Sequence, residues 1–203
     1  MKKPCLFFAL TIWYGQLVSA QAGTVELYFN HSFSPGLHLI ANPLIRGENT
    51  LREIFRDAPV AGTEFYKFVD GNFTTNRHDD FAWENSEETL APGEGAFLLN
   101  GGEGPFTVTF VGPPSDSGLV TNTIPAGLSL KSPMVFRYGR VTTDLNLVLN
   151  PFDNLYKWKK NKFEVYTFLP GGKWHPSEPV IDKAESFFIN AALPIEWILK
   201  FEP

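Results

Sequence analysis

The sequence predicts an all-β protein built from two pseudo-symmetric repeats. Three observations carry this. Rare residues recur 90 or 91 positions apart along the chain. Short apolar runs are separated by Gly, Asn, Asp and Pro, the residues that turn a chain between strands. One helix start signal occurs in the first repeat, and it opens a segment of about two turns. The expected architecture is residues 23–112 and 113–203 as repeats of about five short strands each, with at most short helices. The repeats share one globular unit, as a sandwich or a partly closed barrel.

The repeat is read from residues that chance rarely keeps in register. Gly36-Leu37-His38-Leu39 matches Gly127-Leu128-Ser129-Leu130, and Phe65-Tyr66-Lys67-Phe68 matches Leu155-Tyr156-Lys157-Trp158. Phe73 matches Phe163, Trp83 matches Trp174, Glu94 and Phe97 match Glu185 and Phe188, and Phe106 and Phe110 match Trp197 and Phe201. A one-residue indel accounts for both spacings. Self-similarity of this length means that one supersecondary unit was written twice.

Within the first repeat, Leu37 to Ala41 is an apolar strand closed by Asn42-Pro43. Thr50-Leu51-Arg52-Glu53 has capping-box spacing, so a helix of about two turns is expected up to Asp57. Thr63 to Val69 is a strand, Asp70-Gly71 its hairpin turn, and Asn72 to Thr75 the start of the return. Gly95 to Asn100 and Phe106 to Val111 are further strands around the Gly101-Gly102-Glu103-Gly104 turn. In the second repeat, Lys159-Lys160-Asn161-Lys162 replaces Val69-Asp70-Gly71-Asn72, and Asn tolerates the left-handed conformation the turn needs. Ala184-Glu185-Ser186 replaces Gly93-Glu94-Gly95, so a glycine-dependent turn there is expected to be relaxed. Gly112 to Gly118, with two prolines, is the expected joint between repeats. It is short enough that the two should pack together.

The first twenty residues read as a secretory signal peptide. A basic Met1-Lys2-Lys3 precedes the uncharged run from Cys5 to Tyr14, and Val18-Ser19-Ala20 supplies small residues for cleavage after Ala20. The expected location is therefore secreted, periplasmic or cell-surface, with no membrane span after cleavage. Cys5 is the single cysteine of the 203-residue chain, which excludes a disulfide scaffold and a Cys-based zinc site. The net charge of −5 argues against a general nucleic-acid binder. That charge is uneven: residues 23–112 hold 5 basic and 13 acidic residues, whereas residues 113–203 hold 10 and 9.

Gly36 to Pro43, Tyr66 to Phe68, Ala91 to Phe97 and Thr107 to Phe110 together resemble a repeat common in secreted and surface proteins of Gram-negative-type bacteria. In that repeat a G-x-N-L-I-x-N-P strand is followed by a Y-x-W/F hairpin, an A-P-G-E-G-F-F strand and a T-V-T-F strand. The resemblance covers nearly all of the chain beyond the signal. It implies a β-rich, non-enzymatic module, often the terminal module of an exported or surface protein, and it brings no catalytic residues.

Chemistry read from the residues themselves is sparse. His31, His38, His78 and His175 show no metal-site spacing, and His38 should face away from Leu37 and Leu39, at the surface. His78-Asp79-Asp80, with Glu84, Glu87 and Glu88, offers oxygen ligands but lacks the D-x-D-x-D-G order of a Ca²⁺ loop, so solvated loop charge is the expectation. Neither a nucleophile elbow nor a phosphate loop is present. No metal and no cofactor is expected. Glu94 and Glu185 occupy matched positions, either as paired acids of a hydrolase or as carboxylates capping the same turn twice. Lys157, Lys159, Lys160, Lys162 and Lys173 gather around one hairpin, as a partner-binding patch or a blunted edge.

Aromatic residues give the one candidate ligand surface. Tyr66, Trp83, Tyr156, Trp158 and Trp174 would stack sugar rings if exposed, and would otherwise form the core of each repeat. The leading expectation is an exported, non-catalytic envelope or surface module whose partner is a cell-surface polysaccharide or another envelope protein. A carbohydrate-binding module using exposed Trp and Tyr is the alternative, and a secreted hydrolase using Glu94 and Glu185 a distant third.

Overall fold

The computed structural model describes residues 26–56, 59–114 and 118–200. The expected signal peptide, the end of the expected helix at Asp57 and residues 115–117 of the joint lie outside them. The protein is all-β: strands make up 51% of the described residues and helix 2%. The first half runs β1 (Leu27–Phe33), β2 (Gly36–Ile40), α1 (Leu51–Ile54), β3 (Thr63–Val69), β4 (Asn72–His78), β5 (Ala96–Asn100) and β6 (Phe106–Gly112). The second runs β7 (Leu119–Ile124), β8 (Gly127–Lys131), β9 (Gly139–Arg140), β10 (Asn154–Lys159), β11 (Lys162–Leu169), β12 (Lys173–His175), β13 (Val180–Ile181), β14 (Phe187–Ala191) and β15 (Ile195–Lys200). The halves thus carry more strands than the five apiece expected, and no barrel closes among the described residues.

All strand pairing among the described residues is antiparallel, and the two halves share one plan. In the first, a sheet of order β2-β5-β3-β4 is backed by the ribbon β1-β6. In the second, a sheet of order β8-β14-β10-β11-β12 is backed by the ribbon β7-β15. Small features repeat too. The isolated bridge Thr50–Thr89 corresponds to the β9–β13 pair, and the bridge His78–Trp83 to Phe168–Trp174 in the β11–β12 pair.

Strand alternation divides the apolar side chains among three cores. Phe65, Ala96 and Leu98 turn toward Phe33, Phe106, Val108 and Phe110 of the first ribbon. Leu155, Phe187 and Ile189 turn toward Ile124, Trp197 and Leu199 of the second. The opposite faces of the two sheets meet each other through Leu39, Phe97, Leu130 and Phe188, all buried. The central strands β5 and β14 are therefore covered on both faces, and Ala96-Phe97-Leu98 and Phe187-Phe188-Ile189 read as continuous apolar runs. Burying a large side chain contributes about 1.5–3 kcal/mol, so these four residues hold the halves together strongly.

The contact between halves is reciprocal. The Ala41 amide donates to the Ala184 carbonyl at 2.8 Å, and the Ser132 amide to the Gly93 carbonyl at 3.1 Å. These are the same two positions of each half, exchanged, as in an isologous dimer interface. Close by, Gly95 faces its own counterpart: a Cβ on Gly95 would lie 2.6 Å from the Ser186 Cβ. One of the two positions must lack a side chain for the sheets to approach this closely. The Ser186 hydroxyl is buried there without a partner.

Several local expectations are refined. The Thr50–Glu53 capping box forms in full, yet α1 is a single turn that ends at Ile54, with Phe55 as its C-cap. The turn at Ala184 is not relaxed: Ala184 keeps a positive φ of 55°, as Gly93 does at 93°. Its buried methyl and its hydrogen bond from Ala41 hold it in a conformation alanine otherwise avoids. Asp70-Gly71 and Lys160-Asn161 all have positive φ, so both hairpins close with two left-handed residues. His38 does face away from Leu39, but it packs on Phe33 and its ring bonds the Ser34 carbonyl rather than standing free at the surface.

Candidate functional site

The hairpins β3–β4 and β10–β11 build the most distinctive surface feature. Each projects past the contact between sheets, and an apolar cleft of about 580 Å³ opens between them. Leu37, Phe68, Phe73 and Phe97 line it from the first half, and Leu128, Tyr156, Trp158, Phe163, Phe188 and Asn190 from the second. Period-two alternation explains the set: Phe68, Tyr156, Trp158 and Phe163 sit on the sheet faces opposite the two ribbon cores.

The rings interlock across the halves. Phe68 meets Phe73 at 5.0 Å between centroids, and Trp158 meets Phe163 at 4.9 Å. Each hairpin then reaches over the central strand of the other half, with Phe68 on Phe188 at 5.3 Å and Trp158 on Phe97 at 5.7 Å, both edge to face. The Trp158 indole N–H donates to the Leu37 carbonyl at 2.9 Å, a further bond between halves. At the mouth, Phe73, Leu128 and Phe163 remain 50%, 49% and 43% exposed.

The halves differ in their polar groups. Tyr66 donates its hydroxyl to Glu64, and burial together with that carboxylate pushes its pKa up to about 12. Glu64 is held below the ordinary carboxylate range by that bond and by Arg77. At Tyr156 the carboxylate's place is taken by Asn154, which bonds Thr167 and the Phe152 carbonyl instead. Tyr156 and Asn190 line the cleft, and neither side chain makes a hydrogen bond within the described residues.

Of the residues singled out from sequence, Tyr156 and Trp158 line the cleft. Tyr66 packs in the same contact between sheets but does not line it. Trp83 is 6% exposed, wedged among Phe55, Phe65 and His78. Trp174 lies edge-on to Phe168, with its N–H toward the Thr142 hydroxyl. Sequence reasoning missed Phe68, Phe73, Phe97, Phe163 and Phe188 as lining residues. Their signal was the pairing of Phe73 with Phe163 directly after matched hairpin turns.

The other candidates resolve into scaffold. Glu94 accepts the Ala91 amide at 2.8 Å and pairs with Lys67 at 3.0 Å. Glu185 accepts the Asp182 amide at 2.8 Å and pairs with Lys157 at 2.9 Å. Each carboxylate closes the same turn, and neither lines the cleft. Asp79 caps the amides of Phe81 and Ala82, which holds it below the usual carboxylate range. No group of three or more metal-ligating side chains occurs among the described residues. Nor is any helix among them long and apolar enough to cross a membrane. No family model, curated protein or solved structure matches the chain.

Proposed function

We propose that the protein is an exported, non-catalytic binding module of the envelope or cell surface, and that it holds its ligand in the aromatic cleft between the two sheets. The observation that carries this reading is the cleft itself. It falls within the roughly 300–1,000 Å³ range of small-molecule sites, is lined almost wholly by apolar and aromatic side chains, and has a few free polar groups. Its lining contains no carboxylate, imidazole or serine hydroxyl, and Tyr156 is the one lining side chain that could carry acid–base or nucleophilic chemistry. The signal peptide read from the sequence and the resemblance to repeats of surface proteins support export. Sugar stacking is less well served. It calls for ring faces laid open in one plane, whereas these rings meet edge to face.

The neutral fluorophore N-phenyl-1-naphthylamine tests the reading. The purified protein should bind it, and Leu128→Gln and Phe163→Ser should each weaken binding by more than about tenfold. Both residues are nearly half exposed, so neither change hollows a core, and the melting temperature verifies folding. Absence of binding, or binding that both variants leave intact, overturns the assignment of the cleft. Mass spectrometry of the protein exported by a bacterial host should find Gln21 as the first residue; an unprocessed amino terminus overturns export by this route.

A further inference from the structure

The two lips of the cleft carry opposite charge, and this deepens the binding reading, on which it rests. Phe68 and Phe73 flank the tip Val69-Asp70-Gly71-Asn72, whereas Trp158 and Phe163 flank the tip Lys159-Lys160-Asn161-Lys162. One lip therefore presents a carboxylate and the other three exposed ammonium groups. Lys157, deeper in, is committed to Glu185. Lys159 lies 4.0 Å from Glu164 with its side chain 59% exposed, a loose pairing. Lys160 and Lys162 make no ion pair within 4.0 Å among the described residues, and the Glu164 carboxylate, which feels Lys157, Lys159 and Lys162, offsets one of the charges at this lip. Tyr156 and Asn190 add two polar side chains to the lining on the second half's side.

We infer that the cleft takes a single-chain amphiphile with an anionic head, its apolar body among Phe97, Phe163 and Phe188 and its head toward the lysine lip. The apolar lining selects the body, and the charge of the lip selects the head. Alternation turns Lys159 and Lys162 off the cleft face, so their effect is a field over the lip rather than a fixed contact. Such a field acts over about one Debye length, roughly 10 Å at 0.1 M salt. It favours an anion at the mouth even though the chain's net charge is −5. A cationic head would meet net repulsion at that lip, where three ammonium groups outnumber the Glu164 carboxylate. The volume holds one small ligand, which points to a free amphiphile rather than a bilayer.

Displacement of bound N-phenyl-1-naphthylamine by decanoate and by decyltrimethylammonium, both below their micellar concentrations, tests this. The two share a chain length and differ in the sign of the head. Solvent screens exposed charges, so the preference is modest, and decanoate should compete roughly three- to tenfold better. The advantage should vanish at about 1 M salt, where the Debye length is roughly 3 Å. It should vanish also in the triple variant Lys159→Gln, Lys160→Gln, Lys162→Gln, which should bind the neutral fluorophore as before. Equal competition by both ligands, or a decanoate advantage that survives salt or the triple variant, overturns the head-group inference and leaves the cleft assignment standing. Loss of fluorophore binding in the cleft variants alone supports the cleft, whereas failure of the unaltered protein to bind the fluorophore removes both. Uptake of the protein by phosphatidylglycerol vesicles without competition from decanoate would move the site to a membrane surface and overturn the inference.

Discussion

At the scale of single residues, the tightest constraint lies where Gly95 meets Ser186. A side chain on Gly95 would run into the Ser186 Cβ at 2.6 Å and the Leu130 Cγ at 2.8 Å. Gly95→Ala should therefore destabilise by about 1–3 kcal/mol, the usual range for overpacking. Ser186→Gly should recover part of that loss, because it empties the opposing position while Leu130 must still shift. Chemical denaturation of the two single variants and the double variant measures the coupling; additive effects would mean that the two sites do not oppose each other. His31 supplies a residue-scale pH dependence. Burial, reinforced by nearby His38, lowers its pKa below the ordinary 6.5, with Asp182 opposing. The unfolded chain thus takes up the proton first as pH falls. Stability contributed at neutral pH should decline once pH drops below about 6.5, until the folded state's lower pKa is passed. Denaturant midpoints between pH 7 and pH 5 should show a shallower decline in His31→Asn.

Elements show where local sequence dictates local structure. Thr50 accepts the Glu53 amide at 3.3 Å while the Glu53 carboxylate returns to the Thr50 amide at 3.1 Å. Thr50→Ala should cost about 1 kcal/mol, as loss of a cap does, read as a lower midpoint in urea. The capping box, the strand from Thr63 to Val69 and both hairpin turns were legible because each rests on neighbours in sequence. The ribbons were less so. β1 was not read from sequence, and it pairs with β6 in a register joining Leu27 to Gly112, while β7 pairs with β15 from Leu119 to Lys200. A strand stabilised by a partner some eighty residues away leaves little local trace. Ala184 shows the reverse: tertiary contacts impose a turn that its own residue type disfavours.

For the molecule as a whole, the contact between sheets decides how it unfolds. Phe97 and Phe188 are buried in that contact at equivalent positions, 5.9 Å apart. Phe97→Ala and Phe188→Ala should each cost about 3–5 kcal/mol. Calorimetry should give one transition, with equal calorimetric and van't Hoff enthalpies, because neither sheet is covered on both faces without the other. Two separated transitions would show that the halves fold independently. The repetition was readable from the spacing of Tyr, Trp and Phe. The cleft was not, because it arises from how far two hairpins overshoot the packed sheets. No pattern within one repeat encodes that distance. This is why Trp83 and Trp158 look alike in sequence, yet one is sealed in a core and the other lines an opening.

The apposition of Gly95 and Ser186 has a consequence for symmetry. Two separate, identical chains meeting along this surface would be obliged to present the same residue to each other, and serine against serine does not fit. Joining the halves in one polypeptide lifts that obligation. It also keeps each half at an effective concentration of order millimolar for the other. Covalent union is thus what permits a lysine lip to face an acidic one, giving the molecule a polarity that a true homodimer is forbidden to possess.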